Sequence, residues 1–214
     1  ELIGLNTNFR NSLFFNRGKQ HHSTTYSFLL NESQNLLSVG SISAKNLSHQ
    51  LQYQHLADKS WLFNFSGSTS KSASNSESFS SRNFEIESFQ IEPKIGYLFS
   101  KNASWDIFYE FQQKENQIGA FETLKQTRLG TSFTYNSEKG FSMNGEFSMY
   151  SNSYNGNALS AVGFQMLEGL QPGKNQTWRL LLQKNLTQFL DLNINYQGRN
   201  LSLIHISEPT RLLS

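Results

Sequence analysis

The chain reads as all-β, an antiparallel up-and-down meander. Apolar and polar side chains alternate with period two in segment after segment, the signature of strands whose two faces meet different surroundings. Sustained apolar stripes at helical spacing are missing. The connections between segments are alternately short and long, which in a meander gathers each kind at one end of the sheet.

Taken in order, residues 3–15 form a weakly marked strand. Thr24, Tyr26, Phe28 and Leu30 alternate clearly, and residues 36–44 make a second weak strand. Leu47, His49, Leu51, Tyr53 and His55 oppose Gln50, Gln52 and Gln54. Trp61, Phe63 and Phe65 oppose Asn64 and Ser66, and Ile95, Tyr97 and Phe99 oppose Lys94, Gly96 and Ser100. Trp105, Ile107, Tyr109 and Phe111 oppose Ser104, Asp106 and Glu110, with Phe108 the exception. Leu129, Phe133 and Tyr135 oppose Arg128, Ser132 and Thr134. Phe141, Met143, Phe147 and Met149 oppose Ser142, Asn144, Glu146 and Ser148. Residues 157–170 suit a helical turn or a short extra strand. Trp178, Leu180 and Leu182 oppose Arg179 and Gln183, and Leu190, Leu192, Ile194 and Tyr196 oppose Asp191, Asn193, Asn195 and Gln197. That makes about eleven strands. Short connections fall at 57–60, 101–103, 136–140 and 184–188, and long ones at 68–83, 114–123 and 151–176.

Composition narrows the setting. The chain is 36% hydrophobic yet 14% aromatic, an odd mixture for a water-soluble core. Its net charge is +2 with no basic stripe, which argues against a nucleic-acid partner. It has no cysteine, so neither disulfides nor thiolate metal sites are available. No run approaches 18 apolar residues, but a transmembrane β-barrel would show none either. Trp61, Tyr97, Phe99, Trp105, Tyr135 and Phe141 all flank the short-turn end, as an interfacial aromatic girdle does. The expectation is therefore a bacterial outer-membrane β-barrel, with the polar face toward a lumen. The alternative is a soluble or surface-displayed antiparallel β-sheet module with a binding or adhesive role.

Residues 164–199, FQMLEGLQPGKNQTWRLLLQKNLTQFLDLNINYQGR, resemble the C-terminal region of large, mostly uncharacterised surface proteins of the Bacteroidota. The resemblance rests on Met166 to Asn175, a strand opening near Trp178, and an ending at Tyr196, Gly198 and Arg199. It implies an outer-membrane location and one further closing strand, and it carries no established activity. Residues 201–211, LSLIHISEPTR, resemble a translated sequencing-library adaptor. Together with Glu1 in place of a starting Met, this leads to an expectation of a fragment of environmental sequence. Residues 1–200 would be one barrel domain, truncated at both ends and missing its final strand, and 201–214 an artefactual tail. The full-length chain would supply further strands or domains, and the outer-membrane lipid bilayer would be the other partner.

Chemistry is sparse. No nucleophile elbow, zinc-protease, phosphate-loop or dinucleotide motif occurs, so no catalytic, cofactor-binding or metal residue is assigned, no cofactor is expected and the chain is read as non-enzymatic. His21 and His22 lie near Arg17 and Lys19 without a third ligand close in sequence, while His49 and His55 stand too far apart along one strand to share a metal. His205 belongs to the adaptor-like tail. Asp106, Glu110, Arg128, Glu146, Arg179 and Asp191 all fall on polar faces; a packed set of salt bridges is favoured over an ion-selective lining. Gln171-Pro172-Gly173-Lys174-Asn175 suits a type II turn, with Pro172 presetting φ and Gly173 taking positive φ.

Overall fold

The computed structural model describes residues 3–16, 21–37, 40–138, 140–187 and 189–202. Ten strands form one sheet in strict chain order, each antiparallel to the next. They are β1 (Ile3–Phe15), β2 (His22–Leu37), β3 (Gly40–Ala57), β4 (Trp61–Ser76), β5 (Phe84–Ser100), β6 (Ala103–Asn116), β7 (Thr123–Ser137), β8 (Phe141–Asn155), β9 (Gly173–Thr187) and β10 (Leu190–Asn200). Among the described residues β1 and β10 pair with one neighbour each, so the sheet is not closed.

The meander is as expected, but it has ten strands rather than eleven. Residues 36–44 are not a separate strand: they hold the end of β2 and the start of β3, with Leu37 opposite Gly40 in register. The strands are also longer than their apolar alternation. The serine-rich segment expected as a loop over 68–83 continues β4 to Ser76, leaving only residues 77–83, with a 3-10 turn at Ser80–Arg82, as connection. Likewise β6 runs to Asn116, so the next connection is 117–122 rather than 114–123, and β8 runs to Asn155, so the longest is 156–172 rather than 151–176. Residues 157–170 resolve to a helix, α1 (Ala161–Leu167), and not to a strand. Ser160 caps it, accepting a hydrogen bond from the Gly163 N–H at 2.9 Å, and Glu168 ends it in the left-handed region.

The two faces of this single sheet differ in shielding, which defines an inner and an outer side. On β6–β8 the polar positions are covered: Glu110 is 7% and Ser148 0% exposed. The apolar positions between them are open: Ile107 and Leu129 are each 46% exposed. Water-soluble proteins bury the opposite set. The compact apolar core, Ile86, Leu124, Val162, Met166 and Leu167, is small and lies on the inner side, where α1 folds back against β5 and β7.

Candidate functional site

The outer wall is ordered in height. Its lower edge, beside the short turns, is aromatic, as the sequence expects. Trp61 lies opposite Tyr97, and Tyr97 opposite Trp105. The Trp61–Tyr97 and Tyr97–Phe99 ring centroids are each 4.9 Å apart, and Tyr135 meets Phe141 at 6.0 Å. Above this edge runs an apolar band, marked on β5 by Phe89, Ile91, Ile95, Tyr97 and Phe99. Ten residue steps separate Phe89 from Phe99, about 33 Å along the strand. On the same outer face above the band stand Lys71, Glu85, Glu87, Glu115 and Lys125. Lys71 bridges Glu85 and Glu87 there, the latter at 3.2 Å.

The inner wall of β6–β8 is a polar cluster. Arg128 on β7 sits between Glu110 on β6 and Glu146 on β8, with ion pairs to both, at 3.4 Å to Glu110. Its Nε donates to the Ser148 hydroxyl at 3.0 Å, and its guanidinium lies 4.6 Å from the Phe108 ring centroid and 5.4 Å from that of Tyr150. Phe108, the apolar exception on a polar face, therefore serves as the floor for this cation, with Lys94 5.2 Å away as a second. Gly130 directly opposite makes the room: a Cβ there would stand 2.2 Å from the ring. Higher up, Gln126 donates to Asn152 at 2.9 Å and Asn116 to Glu122 at 2.8 Å. Lys114, 7% exposed, donates to the Met166 carbonyl at 3.0 Å and pairs with Glu168. A buried cation at the carboxyl end of α1 satisfies carbonyls the helix leaves open.

Of the charged residues singled out in sequence, Glu110, Arg128 and Glu146 come together. Asp106 accepts a hydrogen bond from Ser132 at 3.3 Å. Arg179 lies opposite Glu146 in register, and Asp191 opposite Asn185, outside that cluster. The turn reading of 171–175 agrees with Gly173 at φ 94, and buried Asn175 ties the turn by donating to the Gln171 carbonyl at 2.7 Å. His22 opens β2 directly opposite His55, a pairing that sequence spacing conceals, and His49 accepts or donates at 2.7 Å with the Tyr26 hydroxyl. No group of three or more metal-ligating side chains occurs among the described residues. Arg17, Lys19, Pro209, His205 and the rest of 203–214 lie outside them.

Lys114, Asn116, Glu122, Gln126 and Asn152 were not singled out in sequence. Lys114, Asn116 and Glu122 fall in a stretch that reads as loop. The signal that could have found Gln126 and Asn152 is their even-numbered parity, shared with Arg128 and Ser148 on the same strands. Neither the models of known protein families nor the curated proteins contain a match to this chain.

Proposed function

We propose that this chain is a wall of a bacterial outer-membrane β-barrel, spanning and anchoring, with no catalytic role of its own. The supporting observation is the inverted wall of β6–β8, with large apolar side chains open on one face and charged and amide side chains shielded on the other. On β5 the outer apolar run from Phe89 to Phe99, about 33 Å of strand, becomes about 23 Å of height at a tilt of about 45°, close to a lipid-facing band. In water such a face would be an apolar patch far beyond the few hundred Å² that soluble monomers tolerate. Toward lipid it is favourable, and the antiparallel ladder satisfies the backbone. The inner ion pairs and α1 make the β6–β8 side a packed lining rather than an open ion path, so a pore or translocation route would run past it.

The test sets face against face. In lipid vesicles, Ile107→Arg should cost about 2–4 kcal/mol, because it puts a charge into the apolar band, and Ser132→Arg, beside Asp106 on the inner face, far less. Trp61, Trp105 and Trp178 all lie on the outer face. Brominated lipid should therefore quench all three. Equal tolerance of arginine at the two positions, with unquenched tryptophans and extraction without detergent, would instead establish a soluble β-sheet module.

The same reading treats the ten strands as an arc of the barrel. β1 and β10 each leave one row of backbone groups unpaired within the described sheet, which a bilayer does not permit. Residues 1–214 produced alone should associate through these edges, and removing 201–214 should not prevent it. A monodisperse, heat-resistant monomer in detergent would show instead that the ten strands close on themselves.

A further inference from the structure

On the outer face of β3–β6, two neighbouring rows of side chains enclose a groove of about 510 Å³. The upper row, read across the strands, is Leu47, Lys71, Glu87 and Glu115. The lower row is His49, Thr69, Phe89 and Gln113. One row further down come Leu51, Gly67, Ile91 and Phe111. The groove exists because β4 places two small outer residues in succession, Thr69 and Gly67, between bulky neighbours on both sides. At Gly67 an added Cβ would find nothing nearer than 3.8 Å, so the space below Thr69 is open.

The groove is amphipathic along its length. Its lower side is formed by Phe89 beside Thr69 and opens onto the row of Leu51, Gly67 and Ile91, where the apolar band begins. Its upper end is charged. Lys71 pairs with Glu85 and Glu87, Gln113 donates to Glu115 at 2.7 Å, and Gln117 donates to Glu87 at 3.4 Å. Of the charged side chains that line the groove, Glu87 and Glu115 against Lys71 leave this end net negative by one. Glu87 and Glu115 lie directly opposite one another across β5 and β6, like charges that a cation between them would relieve.

We propose that this groove binds one membrane phospholipid with a primary-amine headgroup. An acyl chain fills the strip over Thr69 and Gly67, the ammonium sits between Glu87 and Glu115, and the phosphate meets Lys71. A bare anionic headgroup would bring its charge against the carboxylates with no ammonium to offset it. This inference rests on the membrane reading above, because only there do the groove's apolar and charged ends meet the matching layers of a bilayer.

The experiment is native mass spectrometry of these strands within their complete barrel, purified in detergent, with defined lipids added singly: palmitoyl-oleoyl phosphatidylethanolamine, phosphatidylcholine and phosphatidylglycerol. The ethanolamine lipid should be retained at least tenfold better than the glycerol lipid, with choline between, since it carries the charge but donates no hydrogen bonds. Glu87→Gln with Glu115→Gln should abolish the headgroup preference. Thr69→Leu should lower retention of all three lipids by filling the groove, while leaving the β circular-dichroism signature intact. Equal retention of ethanolamine and glycerol lipids, or retention unchanged by Thr69→Leu, would overturn the groove. Brominated-lipid quenching of the tryptophans on the same samples separates the two readings. Quenching without headgroup preference removes only the groove; no quenching removes the membrane reading and the groove with it.

Discussion

Strands β1–β4 and strands β6–β8 share one hydrogen-bonding scheme and one inside–outside parity, yet their inner walls are built from different chemistry. The inner positions of β4 from 66 to 76 are serine at every second residue. Those of β3 include Asn46, Ser48, Gln50, Gln52 and Gln54. Among the described residues Arg10 is the only charge on the inner face of β1–β4, and it is exposed. On β6–β8 the same positions carry Glu110, Lys114, Arg128 and Glu146, enclosed by Phe108, Tyr150 and α1. Short hydroxyl and amide side chains can remain wet and need no particular partner. Long charged ones that lose water must be paired, and here each is. The difference teaches that the polar face of such a sheet comes in two forms: one that water can fill, and one that the protein fills itself.

The comparison breaks most sharply at its two arginines. Truncating Arg128 to Ala strands Glu110 and Glu146 on a shielded wall. Removing one partner of such a network costs about 3–5 kcal/mol at neutral pH. Arg10→Ala removes an exposed charge and should fall within about 0.5 kcal/mol. Urea unfolding in detergent micelles, followed by tryptophan emission, measures both. Similar losses at the two positions would mean that β1–β4 is as tightly filled as β6–β8.

Two glycines, Gly130 on the filled inner wall of β7 and Gly67 on the outer face of β4, should respond to alanine with opposite signs. At Gly130 a methyl group would meet three ring atoms of Phe108 at 2.2, 2.5 and 2.9 Å. That ring is flanked by Arg128 and Lys94, so yielding disturbs both cations. Overpacking of this kind costs about 1–3 kcal/mol. At Gly67 on β4 the nearest atom would be 3.8 Å away, an ordinary contact. There alanine should stabilise by about 0.5–1 kcal/mol, since a strand glycine loses more backbone freedom on folding. The two single variants, unfolded side by side, should move the urea midpoint in opposite directions.

Which parts of this were legible in sequence follows from the same physics. Alternation shows only where the two faces differ. Across the apolar band they do, so the strands around Trp61, Trp105, Phe141 and Leu192 announce themselves. Above the band both faces are polar: Lys71 and Asn75 point out while Ser72 and Ser74 point in. The strand continues but the hydropathy signal stops, and the serine-rich stretch passes for loop. The period-two serines from Ser66 to Ser76 were the remaining cue. Residues 36–44 misled for the converse reason: Leu36, Leu37, Ile42 and Ala44 give the adjoining ends of β2 and β3 enough apolar character to read as one strand of their own. The inner cluster was half visible. Parity puts Glu110, Arg128 and Glu146 on one face, but their meeting requires register, and the pairing of Lys114 with Glu168 spans 54 residues. Phe108 looked like an error of pattern; Gly130, opposite it, makes it a fitted part.

The smallest expected effect belongs to the loosely filled half. Glu77 opens the connection from β4 to β5 and accepts a hydrogen bond from the Ser41 N–H at 2.9 Å, tying that connection to the start of β3. The bond holds its carboxyl below the ordinary carboxylate range, the backbone N–H of Ser41 being the main cause. The sign follows from linkage. A carboxyl with a lowered folded-state pKa contributes stability that is present above its unfolded pKa and is lost as pH falls through the folded one. The contact should therefore be intact at neutral pH and released only in acid, below the usual carboxylate range. The group is fully exposed, so the effect on global unfolding should be slight and the local one measurable. Carbon-detected NMR of the Glu77 side chain should give a titration midpoint below that of the free amino-acid side chain. Ser41 amide exchange should quicken over the same acidic interval. In Glu77→Gln the amide oxygen still accepts the bond but no longer titrates, so Ser41 protection should lose its acid step while remaining present. An unshifted Glu77 midpoint, or an acid step that survives in Glu77→Gln, would mean that another group ties this connection to β3.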